Sequence, residues 1–261
     1  MKVSLFVTCL TDTFYPRVGE AVVRVLEHLG CEVDFPEAQT CCGQPMFNTG
    51  CHADAAALAR RMIDVFADSP MVVTPSGSCC AMIRDYYREL LHDDPAYRGK
   101  AEQFVTKTYE FSEFLLKIKQ VDLRALGCRW SPAPGSGAEQ AEPIKTTYHY
   151  SCHLRGLGMT DEAVRLLRQI DGIDFRPLEK AEQCCGFGGT FAVKFPEISG
   201  SLVRDKTDCI RRTGADVLVC NDGGCALNIT GSLHREGSPI MTKHIAEIIA
   251  EGLGLMPVAA V

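Results

Sequence analysis

The sequence predicts an α/β fold made of two duplicated halves, each with a mostly parallel sheet, related by pseudo-two-fold symmetry. Three observations lead there. Short apolar runs with strand character alternate with segments of helical periodicity, the pattern of βα units. Two cysteine patterns repeat at equal spacing: Cys9 precedes Cys41-Cys42-Gly43 by 32 residues, and Cys152 precedes Cys184-Cys185-Gly186 by 32. Between them lies Arg129–Pro143, rich in Pro, Gly, Ser and acidic residues, which reads as a linker or exposed loop. The expected organisation is a first repeat over 1–128, a linker over 129–145 and a second repeat over 146–261.

The elements follow in order. Val3–Val7 reads as a buried strand that delivers Cys9 at its C-terminal end. Val18–Leu29 has helical periodicity and stops at Gly30, and Cys31–Phe35 is a short strand leading to the first cysteine pair. Ala53–Phe66 is an Ala-rich helix, Val72–Thr74 a strand, and a helix follows Cys79. In the second half Thr146–Tyr150 is a strand, Glu162–Ile170 a helix, and Phe175 lies on the next short strand. Ile198–Thr213 is a helix, Val217–Val219 a strand and Lys243–Glu251 a closing helix.

Composition narrows the classes of function. The chain has 261 residues, 46% hydrophobic and 23% charged, enough for a real core without disulfide staples. The net charge is −6, and no Lys/Arg run tracks a phosphate backbone, which argues against nucleic acid as a partner. No stretch approaches the roughly 18 apolar residues that span a membrane. The N-terminus lacks a signal-peptide core, so a cytoplasmic location is expected.

Cysteine is the outlier, with 14 residues. A reducing cytosol disfavours disulfides, and clustered cysteines there point to metal or redox chemistry. Each half offers a third station, a β-type run entering a turn-rich loop that ends at a cysteine: Met71–Cys79 and Val217–Cys225. The stations lie 37 and 40 residues after the pairs. In a parallel sheet, successive strand C-termini share one edge, so distant cysteines meet there. Each half therefore supplies four thiols for an iron–sulfur centre: Cys9, Cys41, Cys42 and Cys79, then Cys152, Cys184, Cys185 and Cys225. Cys80 and Cys220 are second-tier candidates. Glycines at 43 and 186 permit close backbone approach and N–H groups aimed at sulfur. Zinc is the competing metal, but the Cys-x2-4-Cys knuckles of structural zinc sites are absent. So is the bacterial ferredoxin run Cys-x2-Cys-x2-Cys-x3-Cys-Pro.

These motifs resemble the cysteine-rich CCG-domain family. That family includes the CCG-bearing component of heterodisulfide reductase and iron–sulfur subunits of glycolate- and glycerol-3-phosphate-oxidising enzymes. Within it the chain is most similar to the lactate-utilisation iron–sulfur proteins. The segments that carry the likeness are Lys2–Cys9, Gly30–Pro36, Cys41–Pro45, Pro75–Cys79, Cys184–Phe191 and His244–Glu247. The resemblance covers nearly all of the chain outside Arg129–Pro143. It implies two CCG-type halves, two [4Fe–4S] clusters and a share in oxidising L-lactate, a small 2-hydroxy acid, to pyruvate. It also implies a ferredoxin-type iron–sulfur subunit and a third lactate-utilisation protein as partners. One departure stands out. Heterodisulfide-type domains end in Cys-x2-Cys, whereas here Ser76 and Asp222 stand three residues before Cys79 and Cys225. A heterodisulfide-type thiol–disulfide reductase and a metal-binding structural subunit are the alternatives.

Other residues complete the candidate list. His153, next to Cys152, is placed to act as a base on a 2-hydroxy acid, with Arg155 as a clamp for its carboxylate. His149, on a strand, reads as structural, and His244, on the closing helix, as packing or capping. Cys31, Cys51, Cys128 and Cys209 have no counterpart in the other half and read as packing or surface cysteines. Phe187 and Phe191 are expected to shield a cluster from water.

Overall fold

A computed structural model of the chain describes residues 1–131 and 142–258. Most of the stretch expected to be a linker, 132–141, lies outside the described residues. The first half carries strands β1 (Lys2–Leu5), β2 (Glu32–Asp34), β3 (Val72–Thr74) and β4 (Thr108–Glu110), all parallel, in the order β2-β1-β3-β4. The second half repeats this with β5 (Ile144–Tyr148), β6 (Ile173–Phe175), β7 (Val217–Cys220) and β8 (Met241–His244), in the order β6-β5-β7-β8. The two sheets share one topology, as a duplication requires.

Burial explains the elements. The central strands β3 and β7 are buried along their whole length and are rich in β-branched residues. The helix Pro16–His28 begins on proline, which suits the first helical turn, and buries Val18, Ala21, Val22, Val25 and Leu26. It packs against Ile245–Gly252, the last helix of the other half. One apolar cluster consequently runs through both halves, joining Val3, Leu5 and Val22 to Val217, Val219 and Ile248. Two smaller clusters lie beneath the cysteine sets, one around Cys42 and Cys79, the other around Cys185 and Cys225.

Three expectations need correction. β5 starts at Ile144, two residues before the strand expected from sequence, and ends at Tyr148. Lys243 and His244 are not helical: they end strand β8, and the closing helix starts at Ile245 with His244 as its N-cap in a capping box with Glu247. Arg129 and Trp130 are not a free loop. Arg129 bridges to Asp171, and Trp130 is fully buried with its Nε1 donating to Glu251 at 2.7 Å. The fourth strands, β4 and β8, are additions to the elements expected from sequence.

The halves meet along a polar seam with its own two-fold relation. Glu110 and His244 end the fourth strands and cap the helices that follow. Each reaches the residue that follows the opposite half's central strand. Asn221 Nδ2 donates to Glu110 at 3.0 Å, and His244 lies 3.1 Å from the Pro75 carbonyl. His244 Nδ1 accepts from Ala246 N–H, so its Nε2–H donates to Pro75. Burial holds His244 down to about 4, so the ring is neutral.

Glu251 is buried and accepts from Lys243 Nζ at 2.7 and 2.9 Å as well as from Trp130. Replacing it strands a buried ammonium. Glu251→Ala should cost about 3–5 kcal/mol, read as a lower urea midpoint. Burial also lifts the Glu110 carboxyl from an ordinary 4.5 to about 8. Between those values the folded chain keeps a proton that the unfolded chain releases. The stability contributed by Glu110 is therefore complete below about pH 4.5 and is lost as pH rises through about 8. Glu110→Gln should flatten the fall of the urea midpoint between pH 5 and 8; an unchanged slope would count against this.

Candidate metal centre

Strand ends place the cysteines. β1 runs out at Leu5, and Cys9 opens the short helix Cys9–Phe14. Thr8, just before it, is buried with φ +72°, a strained conformation for a β-branched residue, and its hydroxyl donates to Thr11 Oγ1 at 2.9 Å. In the second half β5 ends at Tyr148 and Cys152 opens the helix Cys152–Gly156.

The Cys-Cys-Gly turns work alike. Gly43 and Gly186 adopt φ +90° and +83°. Each donates its N–H to the sulfur two residues back, Gly43 to Cys41 at 3.4 Å and Gly186 to Cys184 at 3.3 Å. A Cβ on Gly186 would sit 2.6 Å from the Ser199 carbonyl oxygen, and one on Gly43 3.3 Å from that of Ala55. Glycine is needed for both conformation and space.

At the third stations, Ser76 and Asp222 have become helix caps. Ser76 Oγ accepts from Cys79 N–H at 3.3 Å. Asp222 Oδ1 accepts from Gly224 and Cys225 N–H at 3.1 and 3.4 Å. The other oxygen of Asp222 crosses the seam, accepting from Ser76 Oγ at 3.1 Å and Ser78 N–H at 2.8 Å. The positions where heterodisulfide-type domains carry a fifth thiolate are joined to each other.

One cavity of about 420 Å3 is lined by all eight cysteines of the two sets. Cys9 and Cys41 sulfurs are 3.8 Å apart, Cys42 and Cys79 3.3 Å, and Cys185 and Cys225 3.2 Å. Each set has two drier thiols, Cys42 and Cys79 or Cys185 and Cys225, and two more accessible ones. Cys80 and Cys220 are fully buried outside the cavity lining, and burial pushes both thiols up. Cys31, Cys128 and Cys209 are buried and Cys51 is exposed; none of them lines the cavity.

The charges are uneven within each set. Hydrogen bonds from Cys42 and Cys9, with that of Gly43, hold Cys41 down to about 3. Those from Cys152 and Cys185, with that of Gly186, hold Cys184 down to about 2. The donors Cys9, Cys42, Cys152 and Cys185 are pushed up, first by sharing protons with that thiolate and then by burial. The hydrogen bond with Cys185 brings Cys225 down to about 7. Cys41 and Cys184 thus form thiolates easily, Cys225 comes next, and Cys9, Cys42, Cys152 and Cys185 need a cation to replace their protons. That is the donor chemistry of a thiolate-bound metal or iron–sulfur centre.

His153 lines the cavity and Arg155 does not. Arg155 pairs with Glu182 at 3.0 Å on the surface. Gln44 Nε2 lies 3.2 Å from both the Ser78 carbonyl and His153 Nε2. As a donor it makes His153 Nε2 the acceptor, leaving the ring proton on Nδ1, 3.7 Å from Cys152 Sγ. Phe187 lines the cavity, whereas Phe191 packs on Phe195 at 5.4 Å. His149, expected from sequence to be structural, is buried among the second set. Its ring, Cys185 and Cys225 bring their donor atoms within 4.8 Å of one another.

Two cysteine-lined repeats meeting at one cavity match a known sequence pattern. The pattern described as the cysteine-rich domain, CCG, covers residues 3–84 and again 146–230. The chain belongs to the CCG family. Among curated relatives it is 46% identical over 255 residues to lactate utilization protein A of an Exiguobacterium species, covering 97% of this chain and 98% of that protein. It is 47% identical over 253 residues to the protein of that name from Halalkalibacterium halodurans, covering 95% and 96%. The figure is 46% over 250 residues for that of Bacillus licheniformis, covering 95% and 99%. Among the described residues no helix is long and apolar enough to cross a membrane.

Gly186→Ala combines a positive φ with a clash against backbone, so it should cost about 1–3 kcal/mol. Gly43→Ala, with more room, should cost less. Thermal unfolding of both variants checks the order, and equal losses would contradict the steric account.

Proposed function

We propose that the chain is an iron–sulfur subunit of a multi-protein system that oxidises L-lactate to pyruvate in the cytoplasm. The observation that carries this reading is the convergence of eight cysteines, four from each half, on one cavity. The name borne by relatives aligned over nearly the full chain supplies the substrate. In this reading Cys9, Cys41, Cys42 and Cys79 hold one [4Fe–4S] cluster, and Cys152, Cys184, Cys185 and Cys225 hold the other. When bound, the clusters supply two one-electron acceptors, matching the two electrons that lactate gives up on becoming pyruvate.

The chain's own groups do the rest. Gly43 and Gly186 direct N–H groups at sulfur, which helps set reduction potential. His153 is the proton acceptor for a 2-hydroxy acid in the cavity: its Nε2 lone pair faces Gln44 and is freed when that amide turns away. Arg155, paired with Glu182, is the clamp for the carboxylate of that acid. A ferredoxin-type iron–sulfur subunit and a third lactate-utilisation protein are the partners, which suits a chain with no ferredoxin motif of its own.

One observation favours a second reading. The sulfur pairs at 3.2–3.8 Å are close to the edge of a tetrahedron of thiolates around a single zinc ion, about 3.8 Å for a Zn–S length near 2.3 Å. That would make the chain a metal-binding structural subunit. The thiol–disulfide alternative has weaker support, because Ser76 and Asp222 are occupied as caps.

Iron and acid-labile sulfide measured on anaerobically purified protein separate the first two readings. One zinc per set without sulfide would sink the cluster assignment. Cys41→Ser should remove one cluster and leave the other, read as half the iron; undiminished iron would contradict the ligand set. The purified chain should turn over lactate only when its partners are added, and robust turnover alone would overturn the subunit reading.

A further inference from the structure

The two halves differ at one buried position beside the cysteines. Phe6 and His149 are counterparts: each lies three residues before the first cysteine of its set. Each donates its backbone N–H to the neighbouring central strand at 2.9 Å, Phe6 to Val73 and His149 to Val219. Phe6 suits a dry site and packs edge-on against Phe66. His149 is equally dry at 1% exposure, yet neither ring nitrogen has a nitrogen or oxygen partner, and the group it interacts with is the Cys225 thiol. Burying an imidazole with so little hydrogen bonding is costly, so its contact with a cysteine of the set calls for an explanation. Its donor atoms fall within 4.8 Å of those of Cys185 and Cys225. An imidazole nitrogen and two thiolates around one point form a metal-ligand group.

We propose that His149 is a nitrogen ligand of the iron–sulfur centre in the second half, so that imidazole and thiolates bind this centre while thiolates alone bind the first. The inference rests on the iron–sulfur reading above. The carboxylate near the set, Asp222, is taken up by the N–H groups of Ser78, Gly224 and Cys225 and by the Ser76 hydroxyl, and the Ser151 hydroxyl lies 3.9 Å from Cys225 Sγ. His149 therefore fills the place of an additional donor in the second half, and Phe6 leaves the first half without one. An added imidazole changes the donor set at one iron of the second centre, and ligand type is one of the levers that set reduction potential. The duplicated centres are consequently unequal in ligation and in potential.

Pulsed electron paramagnetic resonance of the reduced full chain, purified anaerobically from cells fed 14N- or 15N-histidine, tests this. One centre should show a strong coupling to a single histidine nitrogen that changes with the isotope. The coupling should vanish in His149→Phe and persist in His153→Gln, since His153 is the other histidine beside a cysteine of this set. In His149→Phe the potential of one centre should shift and that of the other stay unchanged. If His149→Phe does not fold, His149→Asn serves in its place, and the labelled unmutated protein still decides. Two paramagnetic centres without strong histidine coupling, or a coupling that survives loss of His149, would overturn the inference and leave the iron–sulfur reading standing. Protein with neither iron nor acid-labile sulfide would overturn that reading, and the inference with it.

Discussion

The carboxylate of Asp222 is the contact on which the arrangement of the site depends. One oxygen caps the helix that begins with Gly223 and fixes the backbone of Cys225; the other crosses to Ser76 and Ser78. Ser76 in turn caps the helix that carries Cys79. A single ionised group with four donors thus sets the third station of both halves, and charge-assisted bonds of this kind are stronger than neutral ones. Around it, Glu110 and His244 repeat a pair of cross-seam contacts, and burial pushes each toward its uncharged form. The seam concentrates its charge at Asp222, where donors are most numerous.

The thiols sit where this scaffold brings strand ends together. Packing beneath them is dry, so the sulfurs share protons instead of being solvated separately. Four closely placed thiols cannot all ionise without a cation, and folding therefore prepares a demand for metal. The same dryness makes a buried polar ring beside Cys225 conspicuous in the second half.

Much of this is legible in the sequence. Equal spacing from Cys9 to Cys41 and from Cys152 to Cys184 reveals the duplication, and alternating strands and helices point to the parallel sheets. The fourth strands escape because Thr108–Glu110 and Met241–His244 are short and partly polar, and their pairing with β3 and β7 is a tertiary matter. Trp130 escapes because its neighbours in sequence have turn composition, while its partner Glu251 lies far along the chain. The roles of Ser76 and Asp222 are half visible: their departure from cysteine can be seen, but their bond to each other spans 146 residues. His149 reads as structural from its strand, and its proximity to Cys225 arises only when the helix after β7 brings that cysteine beside it.

The seam also bears on how such a chain descends from a single repeat. Two identical copies of the first half would set Ser76 against Ser76, and Glu110 would face Pro75, whose ring offers no donor. Two copies of the second half would press Asp222 against Asp222, like charges in a buried place. The mixed pair gives Ser76, Asp222, Glu110 and His244 their partners across the seam. The present interface therefore depends on the two halves differing at these positions. Exchanging either half for a copy of the other would remove one of these contacts, so the repeats are no longer interchangeable.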